Sequence, residues 1–276
     1  MRDPLKVLFL AADPFRNKAR LELGEEMRAI DEAIQRGRAR DGVELVSHFA
    51  TRTRDLQYAL LRHEPHIVHF AGHGGQAGVI YLGDEHGQPR PVPADALGSL
   101  FGILDGEVKA VVLNACHTLP VVEALSQVVD HAIGTNRPIT DQSAIEFSAA
   151  FYGALAFGRG VRQAFALAVN QLQLDGRGDA DVPVLRSRDG AGAADPPLLS
   201  APAAVRGPAA GEPSTDQTVR VRELHAADYE VVAEEHYGSV PAGGRSRNQT
   251  VEMDVVRGGK VRVTGTRTGL DQPSQD

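Results

Sequence analysis

Five short apolar runs, separated by segments of helical periodicity, occupy the first two thirds of the chain, and that alternation restricts the fold more than any other feature. The runs are residues 5–12 (Leu-Lys-Val-Leu-Phe-Leu-Ala-Ala), 43–49 (Val-Glu-Leu-Val-Ser-His-Phe), 66–71, 108–114 (Val-Lys-Ala-Val-Val-Leu-Asn) and 130–134 (Asp-His-Ala-Ile-Gly). Between the first two, Leu23, Met27, Ile30 and Ile34 recur at spacings of three and four, which puts them on one face of a helix. Further helices are expected over 53–62, 94–103, from Leu119 onward, 142–157 and 160–173. The last carries Val161, Ala164, Phe165, Ala168, Val169 and Leu172 on one stripe. Thr118 suits the cap before Leu119, and Pro120 fits a first turn, where amide protons lack partners anyway. A hairpin is expected around Val79–Leu82 and Gly83-Asp84. Apolar strands alternating with helices imply an α/β fold with a mostly parallel sheet flanked by helices. In such sheets chemistry gathers beyond the carboxyl ends of the strands.

The pattern stops after Leu185. Residues 187–217, rich in Gly, Ala, Pro and Ser, read as a flexible linker. Beyond it, 218–224, 229–233, 250–256 and 260–264 alternate apolar and polar residues, so 218–270 is expected to form a small all-β unit. Gly258-Gly259 suits a hairpin turn between its last two strands, and the reading finds no internal repeat. The chain thus divides into an α/β domain over 1–186, a linker and an accessory unit.

Bulk properties remove several function classes. The net charge of −7 gives no general attraction to nucleic acid or to an anionic membrane. No run approaches the roughly 20 apolar residues of a membrane span, and Asp13-Pro14 interrupts the only apolar stretch near the start. A lone cysteine forms no internal disulfide, which leaves a cytoplasmic setting as the default.

That cysteine, Cys116, directly follows the fourth apolar run. The third run ends in a glycine-rich turn, Ala71-Gly-His73-Gly-Gly75. A thiol becomes a strong nucleophile as thiolate, and a neighbouring imidazole can take its proton. The amides of Gly74 and Cys116 could together stabilise an oxyanion, and a following helix would favour the thiolate through its dipole. A lone cysteine is more often an inert core residue and a lone histidine structural. The two placements agree independently, however, and Gly-His-Gly serves no packing purpose and costs conformational entropy. His63, His66, His69 and His73, with His117, could be imagined around zinc, but His66 and His69 have opposite strand parity. Arg36, Arg38 and Arg40 read as a solvated helix end. No hydrolase elbow, P-loop or dinucleotide fingerprint occurs in a fitting context.

His69-Phe-Ala-Gly-His-Gly74 and Val112-Leu-Asn-Ala-Cys-His-Thr118 resemble the two active-site motifs of the caspase-like cysteine proteases, and above all those of the CHAT domain. Ala132-Ile-Gly-Thr, Ile139-Thr-Asp-Gln-Ser-Ala, Phe147-Ser-Ala-Ala-Phe-Tyr152 and Gly160-Val-Arg-Gln-Ala-Phe165 are similar to that family too, so the resemblance spans roughly 5–185. It implies a caspase-haemoglobinase fold and peptide-bond hydrolysis through an acyl-enzyme. His73 would be general acid/base, Cys116 nucleophile and Gly74 part of the oxyanion hole, with no metal or organic cofactor. It further implies a protein substrate, a bacterial defence or cell-death setting and a separate activating partner, for which the β unit is a candidate docking module. Arg186, Arg188 and Arg206 would offer a self-cleavage site. Many relatives have Asp two residues before the nucleophile, which helps bind a basic side chain; here Asn114 stands there. Asp141 is the better candidate for an acidic pocket residue, although it could equally cap the helix that follows, and Asp84 is a weaker one. A catalytically idle scaffold that binds partners, and a non-proteolytic acyltransferase or amidase, remain rival readings.

Overall fold

A computed structural model describes residues 4–15, 20–104, 106–188 and 195–199 with their side chains, and the strands between 217 and 266 as backbone. The molecule divides into two units, 1–205 and 206–276.

The first unit is built on an eight-stranded sheet. Its spine runs in the order β2-β1-β3-β6-β7-β8, and β4 and β5 extend from the end of β3. The strands are β1 (Leu5–Ala12), β2 (Val43–His48), β3 (Ile67–Gly75), β4 (Val79–Gly83), β5 (Pro89–Pro93), β6 (Ala110–Asn114), β7 (His131–Thr135) and β8 (Pro183–Ser187). The first five of the spine are parallel and β8 closes the edge antiparallel to β7. Three prolines in β5 are compatible with its place at an edge, where missing amide protons cost no ladder bond.

Side-chain alternation along the strands divides the core in two. Leu8, Leu10, Val68, Phe70, Val111 and Leu113 pack against α2 (Thr53–His63), α3 (Ala94–Ile103) and α4 (Leu119–Leu125). Val7, Phe9, Ile67, Val112 and Ile133 face α1 (Leu23–Gln35), α5 (Asp141–Ala156) and α6 (Val161–Leu174). Each fully buried Leu, Ile, Val or Phe contributes about 1.5–3 kcal/mol of transfer free energy, so the strands are fixed from both sides. Ile30 and Ile34 of the expected stripe on α1 are buried; Leu23 and Met27 pack at its margin. No helix among the described residues is long and apolar enough to cross a membrane.

Three features differ from the sequence reading. The glycine-rich segment after Phe70 is no turn: β3 runs on to Gly75 and pairs antiparallel with β4, His73 opposite Tyr81. β8 lies at the margin of the segment where helical and apolar patterning fades, and was not expected as a strand. Within the segment assigned to the linker, residues 195–199 pack on the first unit: the Asp195 carboxylate accepts from Arg162 N (3.1 Å) and Gln163 N (2.9 Å) in the first turn of α6, and Leu199 is buried.

The second unit comprises β9 (Gln217–Val221), β10 (Leu224–His225), β11 (Asp228–Glu234), β12 (Gln249–Met253), β13 (Val256–Arg257) and β14 (Lys260–Thr266). Its strands are paired in parallel, Gln217 with Gln249, Leu224 with Val256 and Asp228 with Lys260, a constant offset of 32 residues. The sequence carries the same period in Gln217-Thr-Val219 and Gln249-Thr-Val251. An internal repeat is therefore present where none was expected. Gly258-Gly259 does separate two strands, but β13 and β14 pair with β10 and β11 rather than with each other.

Candidate active site

Strand register assembles the site. On β3, Gly72 lies opposite Ala12 of β1, so Asp13 falls opposite His73. Ala71 lies opposite Asn114, the last residue of β6, so the same register continued by two residues brings His73 level with Cys116, and both line one cleft. Asp13, His73 and Cys116 thus form one row across the carboxyl ends of three adjacent parallel strands. They share parity with Phe9, His69 and Val112, the row that faces α1 and α5; His73 and Cys116 line a cleft beside those helices, and Asp13 reaches it through its hydrogen bond to His73. Leu21, Glu22 and Leu23 line one side, Ile139, Asp141, Ala144 and Ile145 the other, with Glu26, Gly72, His73, Asn114, Ala115 and Cys116 at the base.

His73 is held on two sides. Its Nε2 lies 2.9 Å from Asp13 Oδ1, and since a carboxylate only accepts, Nε2 carries the proton and donates. Nδ1 is left as the ring nitrogen available to the thiol. Phe15 meets the imidazole edge-on, ring centroids 5.0 Å apart, and also contacts Tyr81. Cys116 is half-buried and in the reduced thiol form. Gly74 passes close behind it: a Cβ at Gly74 would lie 2.0 Å from the Cys116 carbonyl oxygen, so only glycine allows this approach.

The chain turns sharply after the thiol. His117 has φ +59°, a left-handed conformation rare outside glycine. Two buried threonines hold the turn. Thr118 Oγ1 donates to Ala115 O (3.2 Å) and accepts from Thr135 N (2.9 Å), while Thr135 Oγ1 also donates to Ala115 O (2.6 Å). Thr118 does precede α4, but its hydroxyl does this work instead of capping the helix. The expected dipole effect on the thiol also falls away: α4 has seven residues and begins three positions after Cys116, beyond the short reach of a helix terminus.

Beneath the cleft lies a buried polar network absent from the sequence reading. Glu26 on α1 is 4% exposed. Its Oε1 accepts from His69 Nε2 (2.9 Å), Ser148 Oγ (2.9 Å) and Asn114 Nδ2. Asn114 also donates to Ala144 O (3.1 Å). Tyr152 Oη lies 3.2 Å from His69 Nδ1. Burial, and then the Glu26 charge, push the Tyr152 phenol well above its ordinary pKa, so the hydroxyl keeps its proton. The Glu26 carboxylate accepts, so His69 carries a proton on Nε2.

Asp141 and Asn114 both reach the cleft, Asp141 exposed at its mouth and Asn114 at its base. The cap of α5 is Thr140, whose side chain accepts from Ser143 N, and not Asp141, which is the first helical residue. Asp84 lies elsewhere. Its Oδ1 accepts from His86 N and Gln88 N (2.8 Å each) in the β4–β5 turn, and these bonds, Gln88's foremost, hold its pKa down against a small burial penalty. The histidines scatter: His63 contacts His48, His66 accepts from Lys6 N, His69 joins Glu26 and His73 joins Asp13. Among the described residues no three His, Cys, Asp or Glu side chains converge on a metal position.

The caspase-1 crystal structure from Spodoptera frugiperda superposes with a TM-score of 0.47 at 10% identity, covering 67% of this chain and 87% of that one. A Roc-COR-CHAT protease from an unknown prokaryotic organism is 24% identical over 157 residues, 54% of this chain and 15% of the relative. One from Runella zeae is 27% identical over 154 residues, 55% of this chain and 16% of the relative. This chain therefore spans about one sixth of the length of either relative. The CHAT domain profile matches residues 10–189, more than half of the sequence and the whole of the cleft just described, and the chain belongs to the CHAT domain family.

Proposed function

We propose that the chain is a cysteine endopeptidase in which Cys116 is the nucleophile and His73 the general acid/base. The observation that supports this reading is that His73, hydrogen-bonded to Asp13, and Cys116 line the same cleft beyond the ends of neighbouring strands. His73 Nδ1 takes the thiol proton as Sγ attacks the scissile carbonyl. The same nitrogen returns that proton to the leaving amine, leaving a thioester on Cys116. It then deprotonates water, which releases the carboxylate product and the thiol. The amides of Gly74 and Cys116 serve as oxyanion donors, and Asp13 keeps the ring in the tautomer that leaves Nδ1 free. Asp141 and Asn114 contact the substrate.

The test is cleavage of a diverse peptide library by the wild type and by Cys116→Ala and His73→Ala. Cleavage by the wild type alone supports the reading. An electrophilic thiol probe that labels Cys116 equally well with and without His73, with no cleavage by any form, sinks it in favour of an idle scaffold.

The names of the relatives place CHAT units within larger multidomain proteins, which supports control of this unit by another module or partner. We assign the strands beyond residue 216 to that docking role, in a protein-cleaving defence or cell-death response. Removal of residues 206–276 that leaves partner-stimulated cleavage unchanged would count against this assignment.

A further inference from the structure

The base of the cleft holds a carboxylate with half of its bonding capacity unused. Glu26 directs Oε1 at three donors, from His69, Ser148 and Asn114, an arrangement that suits an oxygen acting purely as acceptor. Its Oε2 has no partner among the described residues, although the side chain is only 5% exposed and lines the cleft beside Cys116. Oε2 is not among the fully buried unpaired atoms, so it faces the open cleft, where water or a donor from a ligand must meet it. Glu22 and Asp141 add two further carboxylates to the lining, which includes no Lys or Arg among the described residues. The walls between these charges are apolar, formed by Leu21, Leu23, Ile139 and Ile145. Acid at the bottom, hydrocarbon on the sides and acid at the rim match a long side chain with an aliphatic stem and a cationic head.

We propose that Glu26 is the specificity-determining residue of the cleft and that it pairs with an Arg or Lys side chain immediately before the scissile bond. A guanidinium fits best, because Glu26 Oε2 takes one of its N–H groups and the others remain for neighbouring acceptors. His69, Ser148 and Asn114 hold the carboxylate rigid, so the pairing costs little ordering on the protein side. Asp141, at the mouth, contributes screened long-range attraction only. The assignment deepens the peptidase reading above and rests on it.

Peptidyl acyloxymethyl ketones that place Arg, Lys, Leu or Asp next to the electrophile test it, with Cys116 labelling followed by intact mass. The wild type is expected to react fastest with the Arg probe. In Glu26→Gln the ratio of Arg to Leu labelling falls roughly a hundred-fold, as for loss of one member of a buried charge pair. In Asp141→Asn the ratio falls only about three-fold. Should Glu26→Gln fail to fold, agmatine provides a second reading, since it must slow labelling of wild-type Cys116 by the Leu probe. Fastest labelling by the Leu or Asp probe, an unchanged ratio in Glu26→Gln, or no protection by agmatine overturns the assignment and leaves the peptidase standing. Failure of every probe to label Cys116 removes both.

Discussion

Asp13 bonds to His73 and Glu26 lines the cleft, and neither was legible in the sequence. His73 and Cys116 could be picked out as candidates, because each stands at the carboxyl end of an apolar run, and the end of a run can be read locally. Asp13 follows a strand as well, yet it looked like the residue that interrupts an apolar stretch. Its role depends on which strand lies beside β3, and that is a property of the sheet. Glu26 sits on the buried face of α1, where a charged residue looks like a break in the stripe until its three donors are placed around it. Two substitutions test the residue-scale account. Asp13→Asn keeps the side-chain shape but removes the charge that stabilises the imidazolium; kcat is expected to fall roughly 10- to 100-fold with KM held, because general acid/base catalysis is what is impaired. A parallel rise in KM and a lowered Tm would mark Asp13 as merely structural. Gly74→Ala must displace the Cys116 carbonyl, at a cost of about 1–3 kcal/mol. Activity is expected to fall much further than that loss of stability can explain, as measured by kcat/KM alongside a urea titration.

The start of α5 shows how an element is aimed at the cleft. Thr140 caps it, and behind the cap Asp179 accepts from Thr140 N (2.9 Å), Thr140 Oγ1 (3.0 Å) and Ser143 Oγ (2.5 Å). Burial alone would raise the Asp179 pKa, but these donors outweigh it and the net shift is downward. A carboxylate with a lowered pKa in the folded state contributes stability that is complete above the ordinary carboxylate range and is lost as pH falls through the folded value. The urea midpoint of the wild type is therefore expected to drop as pH falls below about 4. Asp179→Ala should lose about 1–3 kcal/mol at neutral pH and show a shallower acid dependence. An unchanged acid limb in that variant would remove Asp179 from the account. The helix itself was legible, with its boundary one residue late. The partner was not, since Asp179 lies thirty-nine positions from the cap. Similarly, β8 escaped because a five-residue edge strand carrying Pro, Arg and Ser presents little pattern, and the 32-residue repeat of the second unit escaped because two copies share few identities beyond Gln-Thr-Val.

At the scale of the whole molecule, every described residue of the cleft lies within the first unit. A chain cut after Val205 is thus expected to fold, unfold in one cooperative transition and retain thiol-probe labelling of Cys116. Loss of labelling with folding intact would mean that the second unit completes the site. The register row has a further consequence, for the route by which the protein comes into being. Positions 13, 73 and 116 belong to three separate crossover units, and parallel pairing offers none of them a local partner. Contacts so distant along the chain form late, after the loop-closure entropy of each crossover has been met. A one-residue slip of any of the three strands would turn its member of the row to the opposite face of the sheet. A fragment or loosely collapsed intermediate that lacks any of these pairings cannot then hold the three groups together. In a refolding experiment, reactivity toward the Arg probe should return with the slowest global phase and never ahead of it, so that the site stays unassembled until the sheet is complete.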